Sequence, residues 1–335
     1  MTGAITDVAG VRVAHLTLDH GPGVRTGVTA VLPHTRDLLA EPVTAAAHVV
    51  NGYGKPLGLA QVAELGELET PVVLTNTFAV GAAHEGVLRE LLEHHPDLGR
   101  PRTVNPVVLE CNDGRLHDLR SLAVRPEHVV AAVRAARLET DGHAVAQGSV
   151  GAGHGMVAFG AKGGIGTASR VVVPEDVVPG DHGHEHEADE PAGWTGTLGA
   201  LVLTNMGRPE DLRVHGRAPQ GRDDTRDDPV EDPVDGSVIV LLATDAPFDA
   251  RQLGRLARRA QNGLARTGVP TDHGSGEFVL ALSTATPRHR RDGRWLRPWF
   301  RAVADVVEDA VLCSLREATA VTGRDGRTVP RHHLP

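Results

Sequence analysis

The stretch "EDPVDGSVIVLLATDAP", residues 231–247, changes character at its middle. Its acidic, proline-broken half ends at Asp235-Gly236, and an apolar run rich in β-branched residues starts at Ser237. From Ser237 to Thr244 polar residues do not alternate with apolar ones, so this strand needs cover on both faces. Six more runs share its character: 27–33 (GVTAVLP), 71–75 (PVVLT), 105–110 (NPVVLE), 169–174 (SRVVVP), 197–205 (TLGALVLTN) and 277–284 (EFVLALST). Helical spacing of apolar residues predicts helices over 126–138, 249–268 and 298–319, with Gly268 closing the second. Strands covered on both faces, alternating with helices, predict sheets packed between helical layers.

Composition agrees. The 335 residues are 40% hydrophobic, enough for one large domain or two moderate ones, and only 3% aromatic against 39 glycines. Such a core must be built from Val, Leu, Ile and Ala packed closely between layers. A formal charge of −9, with arginines scattered among acids, argues against a nucleic-acid partner. Two cysteines, Cys111 and Cys313, are too few for a disulfide framework and suit a reducing compartment. "MTGAITDVAGVRV" lacks a basic segment followed by an apolar one, and no apolar run approaches the roughly 20 residues of a membrane span. The expectation is a cytoplasmic, soluble protein without a membrane partner.

Two acidic, proline-containing segments, 175–195 and 217–235, read as loops, and the second leads straight into Ser237. Within the first, "HGHEHE" offers His182, His184 and His186 as metal-like residue types, although alternating histidines in an acidic loop more often coordinate nothing. The glycine-rich block 148–170, "GSVGAGHGMVAFGAKGGIGTASR", is no phosphate loop, because Gly163 follows Lys162 where that motif needs Ser or Thr. Its glycines instead suit close backbone approach or the presentation of N–H groups around a site.

The Gly236-Ser237 pair permits specific chemistry. A serine hydroxyl can attack the preceding carbonyl and shift the acyl group from nitrogen to oxygen; hydrolysis of that ester then breaks the chain. Glycine before the serine lets the backbone reach the strained geometry required. The new N-terminal serine would carry hydroxyl and amine on one residue, and with a reference pKa of about 7.7–8.0 some of that amine is neutral at pH 7 and can act as base. From spacing alone, a plain Gly-Ser turn before a strand is the alternative.

"ITDVAGVRVAH", "TGVTAVLP", "LTNTFAVGAAHEGV", "LECNDGRLHDLR", "VGAGHGMVAFGAKGGIGTASR", "LTNMG", "DGSVIVLLATDAP", "LARRAQNGLARTG" and "HGSGEFVLALST" follow one another across the chain. In that order they resemble the self-processing serine peptidases typified by DmpA, an L-aminopeptidase D-Ala-esterase/amidase, and by the β-peptidyl aminopeptidases. The resemblance implies a four-layer α-β-β-α sandwich, shared with the self-cleaving N-acetyltransferases of arginine synthesis. It implies cleavage between Gly236 and Ser237 into an α chain of 1–236 and a β chain of 237–335, with Ser237 as nucleophile. By the same resemblance Asn205 of "LTNMG" stabilises the oxyanion, and Ser275 and Glu277 of "GSGEF" orient the serine and its amine. Glu110 of "LECND" would hold the substrate ammonium, and Asn76 of "LTNT" would line the same pocket.

Taken without the resemblance, Asn205, Asn76 and Ser275 are ordinary turn residues, and Glu277 and Glu110 strand-edge charges. With it, the expected activity is release of N-terminal residues from short peptides, amides or esters bearing a free amino group. No metal or cofactor is implied, and the assembly carried over is a tetramer of cleaved heterodimers. The chain departs from the family pattern at His154, where relatives usually carry a small hydroxyl residue, at Lys55, where an acid is common, and in the length of 175–195. An uncleaved small-molecule binding protein of the same fold, and an ornithine-type N-acetyltransferase, are the other expectations; the latter family uses threonine where this chain has Ser237.

Overall fold

The computed structural model describes residues 3–173, 193–219 and 236–334. In chain order the elements are β1 (Arg12–His20), β2 (Val24–Leu32), β3 (Val43–Gly52), α1 (Leu59–Leu65), β4 (Glu67–Leu68), β5 (Val72–Asn76), α2 (Val80–His94), β6 (Val107–Cys111) and α3 (Pro126–Leu138). They continue as β7 (Val157–Ala158), β8 (Ala161–Lys162), β9 (Gly164–Val172), β10 (Gly196–Asn205), β11 (Ser237–Thr244), α4 (Ala250–Ala257), α5 (Ala260–Arg266), β12 (Gly276–Ser283), α6 (Arg297–Arg316), β13 (Val321–Thr322) and β14 (Thr328–Val329).

Two sheets stand face to face. One has the order β1-β2-β5-β6 and the other β4-β3-β12-β11-β10-β9, while β7-β8 and β13-β14 form small hairpins. Between the sheets Val13, Val31, Leu74 and Leu109 meet Leu203, Ile239, Leu241 and Leu280. Outside the four-stranded sheet Val73 and Val108 pack on Val87, Val129 and Val133 of α2 and α3. Outside the six-stranded sheet Val202, Val240 and Val279 pack on Leu253, Leu264, Val307 and Val311 of α4, α5 and α6. The result is the four-layer α-β-β-α sandwich.

Strand β11 explains its own sequence. Ile239, Leu241 and Ala243 enter the inter-sheet core, while Val238, Val240 and Leu242 enter the core under the helices. Both faces are dry, so no polar alternation is tolerated.

The predicted helix over 249–268 is corrected to two, α4 and α5, broken at Arg258-Arg259. At Gly263 a Cβ would lie 2.6 Å from the Ala304 carbonyl oxygen, so α5 approaches the α6 backbone more closely than any side chain permits. The break lets this second half settle there. Strands β1 and β3 and helix α2 are absent from the sequence reading. "RVAHLTLDH" and "VTAAAHVVNG" carry too many small or polar residues for an apolar run, and pairing with stronger neighbours makes them strands. The loop readings at 175–195 and 217–235 fall almost wholly outside the described residues, as do His182, His184 and His186.

Candidate active site

Strand register assembles the site at one end of the six-stranded sheet. Antiparallel β10 places Asn205, its last residue, opposite Ser237, the first of β11. Parallel β12 sets Gly276 beside the same serine, and the Gly276 N–H donates to the Gly236 carbonyl at 3.1 Å. Across the inter-sheet gap, the end of β6 brings up Cys111 and the following Asn112.

Ser237 is buried, 7% exposed, and its Oγ faces two N–H donors. Asn205 Nδ2 lies 3.3 Å away and the Asn112 backbone N–H 3.4 Å away. These are long hydrogen bonds, of the loose kind common before substrate arrives. The Asn205 amide has little freedom: Nδ2 also donates to the Asn112 carbonyl at 2.9 Å, and Oδ1 accepts from Val157 N–H at 3.0 Å. The glycine-rich block therefore does present an N–H group around the site, through Val157.

Gly236 requires a correction of reasoning. Its φ is not in the left-handed region, so backbone strain does not demand glycine there. Close approach does, because a Cβ would stand 2.8 Å from Met206 Cα and 3.1 Å from the Asn205 carbonyl oxygen.

Glu277 has both carboxylate oxygens occupied, Oε1 by Ser275 Oγ at 2.9 Å and Oε2 by Thr271 Oγ1 at 2.8 Å. Burial raises its pKa, and those two hydroxyls oppose the rise. Thr271 holds φ at +57°, a conformation that β-branched residues rarely adopt, with its hydroxyl engaged on Glu277. Nothing in the sequence flagged Thr271, because left-handed geometry leaves no signal in a threonine.

Glu110 is 5% exposed, and its Oε1 accepts from the Lys55 N–H at 2.9 Å. Lys55 thus matters here through its backbone, while its ammonium lies 5.9 Å from the centre of the Tyr53 ring. Asn76 is engaged elsewhere: Oδ1 accepts from Phe78 and Ala79 N–H, each at 3.0 Å, and Nδ2 donates to Thr26 Oγ1 at 2.8 Å. These bonds close the turn that precedes α2, and none joins Asn76 to Ser237. His154 packs its ring on the Ser149 carbonyl (3.0 Å) and Asp19 (3.2 Å).

The Cys111 thiol neighbours Ser237, yet complete burial pushes its pKa well up, with the Ser237 hydroxyl only partly opposing, so it stays protonated. Neither cysteine forms a disulfide, and both are buried. Among the described residues no group of three or more His, Cys, Asp or Glu side chains converges as a metal site, and no helix is long and apolar enough to cross a membrane.

A serine at a strand end, facing two N–H donors beside a hydroxyl-held carboxylate, suits acyl transfer. The family model of peptidase family S58 matches residues 3–329. The chain belongs to that family. Family S58 membership makes it a peptide-bond hydrolase, which displaces the binding-protein and acetyltransferase expectations. The chain is 36% identical to the β-peptidyl aminopeptidase BapA of Sphingosinicella microcystinivorans, over 98% of this chain and 85% of that one. Among solved structures it is similar to the PH0078 protein from Pyrococcus horikoshii OT3, with TM-score 0.82, 42% identity, and 99% of this chain and 91% of that one covered. It is also similar to the L-aminopeptidase D-Ala-esterase/amidase from Ochrobactrum anthropi, described as a variant of the Ntn hydrolase fold, with TM-score 0.81, 32% identity and coverages of 99% and 92%.

Proposed function

We propose that this S58 peptidase cleaves itself between Gly236 and Ser237 and then acts as an aminopeptidase through the new N-terminal serine. Ser237 Oγ attacks the Gly236 carbonyl carbon, the C–N bond breaks as the nitrogen takes up a proton, and water hydrolyses the resulting ester. The products are chains 1–236 and 237–335. In the mature enzyme the Ser237 amine accepts the hydroxyl proton as Oγ attacks a substrate carbonyl. Asn205 Nδ2 and the Asn112 N–H receive the developing oxyanion. The protonated amine then gives its proton to the leaving amine, and water hydrolyses the acyl-enzyme.

Glu110 would select substrates with a free ammonium group. Its Oε1 is already held by Lys55 N–H, which leaves Oε2 for a charge-assisted bond to that group. It lies on β6 two residues before Asn112, which follows the strand's end, a rise of about 7 Å in extended chain, so the ammonium and the reacting carbonyl are held from one stretch of chain. The substrate class is short peptides, amides or esters, with β- and α-aminoacyl groups both to be tried. Ser275 and Glu277 would hold the Ser237 amine.

The observation that carries this reading is Ser237 Oγ set against two N–H donors directly after a glycine that tolerates no side chain. Intact mass under denaturing conditions tests it, with turnover of β-alanyl and L-alanyl p-nitroanilide measured alongside. Two fragments summing to the chain plus one water, with Ser237 as a new N-terminus, are expected. Ser237→Ala should stay whole and lose at least about 10³-fold in turnover. An intact, fully active wild-type chain would sink the proposal.

A further inference from the structure

Behind the site lies a cation that the mechanism above does not use. Lys162, in β8, is 0% exposed, and its Nζ donates to the carbonyls of His154, at 2.8 Å, and of Met156. The Met156 carbonyl belongs to the same peptide plane as the Val157 N–H, and that N–H donates to Asn205 Oδ1 at 3.0 Å. The Asn205 amide, in turn, points Nδ2 at Ser237 Oγ. Each link is an amide accepting at its oxygen and donating at its nitrogen, and bonds in such a series polarise one another in the same direction.

The surroundings show how the lysine is kept there. Burial lowers its pKa, and the buried carboxylate of Asp113 opposes that shift. Asp113 is fully buried; burial raises its pKa to about 8, with the Thr26 hydroxyl and Lys162 among the groups opposing. The turn that Lys162 grips is closed by glycines. At Gly155 a Cβ would lie 2.1 Å from the Arg25 carbonyl oxygen and 2.8 Å from Asp113 Cβ, so the turn, Asp113 and β2 are in contact.

We infer that Lys162 is a positioning residue for the reaction: by gripping the Met156 carbonyl it fixes the Val157 N–H, and thereby the Asn205 amide, toward Ser237. The inference rests on the reading of Asn205 as an oxyanion donor. Lys162 donates to no atom of Ser237, so its removal acts through the groups it holds, of which the Met156 carbonyl leads to Asn205.

Lys162→Met keeps the apolar stem and removes the donor, and Lys162→Gln restores one N–H donor. Measured on p-nitroanilides, Lys162→Met should lower kcat on the order of 10²-fold, the effect of losing one oxyanion donor, with KM within about threefold. Lys162→Gln should recover part of that loss. In a double-mutant cycle, Lys162→Met combined with Asn205→Ala should be no slower than Asn205→Ala alone. The crystal structure of Lys162→Met should show the Asn205 side chain displaced from Ser237, a result that needs no turnover. Wild-type protein inert on every aminoacyl substrate, but with Asn205 displaced in the variant, would defeat the proposed function and leave the relay standing. Losses that multiply in the double variant, or an unmoved Asn205, would overturn the relay. So would insoluble protein from both Lys162 variants, which would make the lysine a folding requirement.

Discussion

The two faces of the six-stranded sheet, at the end where Ser237 begins β11, are built differently. On the inter-sheet face, shared with Ile239, Ser237 Oγ meets two N–H donors, from Asn205 and Asn112, beside the Cys111 thiol. On the helical face, shared with Val238, Glu277 is paired in register with that valine and meets only hydroxyls. Strand alternation keeps the two side chains on opposite sides of the sheet, and no hydrogen bond joins them. One face offers N–H donors and the other holds a carboxylate. What can communicate between them is the Ser237 nitrogen, which lies in the plane of the sheet at the strand end. A nucleophile and a carboxylate so divided make chemical sense when the link between them is a free terminal amine.

The largest effect that sharpens this contrast is on the donor face. Asn205→Ala should reduce kcat by about 10²–10³-fold with KM nearly unchanged, because the lost bond strengthens only as the oxyanion forms. Steady-state kinetics on the p-nitroanilides reads it. A rise in KM at constant kcat would move Asn205 from the transition state to substrate binding and break the comparison.

The carboxylate face should respond more weakly and with a pH signature. Burial raises the Glu277 pKa, so the group takes up its proton above the ordinary glutamate range. If its negative charge is needed to hold the Ser237 ammonium, turnover falls as pH drops through that raised value. Glu277→Gln should remove the part of the acidic limb set by this carboxyl, leaving the part set by the Ser237 amine, and cost about tenfold or more at neutral pH. Stability runs the other way. A raised folded-state pKa gives stability that is fully present below the unfolded glutamate value and is lost as pH rises through the folded one. The variant should therefore melt no lower than wild type at pH 7, and a loss of both activity and melting temperature would make Glu277 a structural residue.

The sequence made the donor face more legible than the carboxylate face. Ser237–Thr244 marked its own strand because both faces are buried, and Asn205 and Ser237 stood at strand ends where register could join them. Asn112 sat inside a quoted block, but its contribution is a backbone N–H that any residue would supply. Thr271, and the break at Arg258-Arg259, depend on backbone geometry that residue identity does not encode. Asn76 shows the converse: an asparagine at a strand end did point to a real structural position, the turn between β5 and α2, where its amide bonds Phe78, Ala79 and Thr26.

The smallest expected effect concerns a second nucleophilic atom on the donor face. The Cys111 thiol neighbours Ser237 and its sulfur lies 3.7 Å from the Leu203 carbonyl oxygen, a contact compatible with S–H donation. Nucleophilic cysteines are thiolates, lowered in pKa by nearby cations or helix N-termini. Here burial acts in the opposite sense, and the nearby carboxylates Glu110 and Asp113 raise the thiol further. Cys111 therefore packs as a small apolar side chain, filling the seam between β6 and β10. Cys111→Ala should leave kcat/KM within about threefold and cost on the order of 1 kcal/mol in stability, from lost packing alone. Treatment with iodoacetamide should likewise leave wild-type turnover intact. Loss of activity in a Cys111→Ala protein that still melts cooperatively would mean that the donors at Asn112 and Asn205 serve a sulfur, and the hydroxyl would lose its place as the reacting atom.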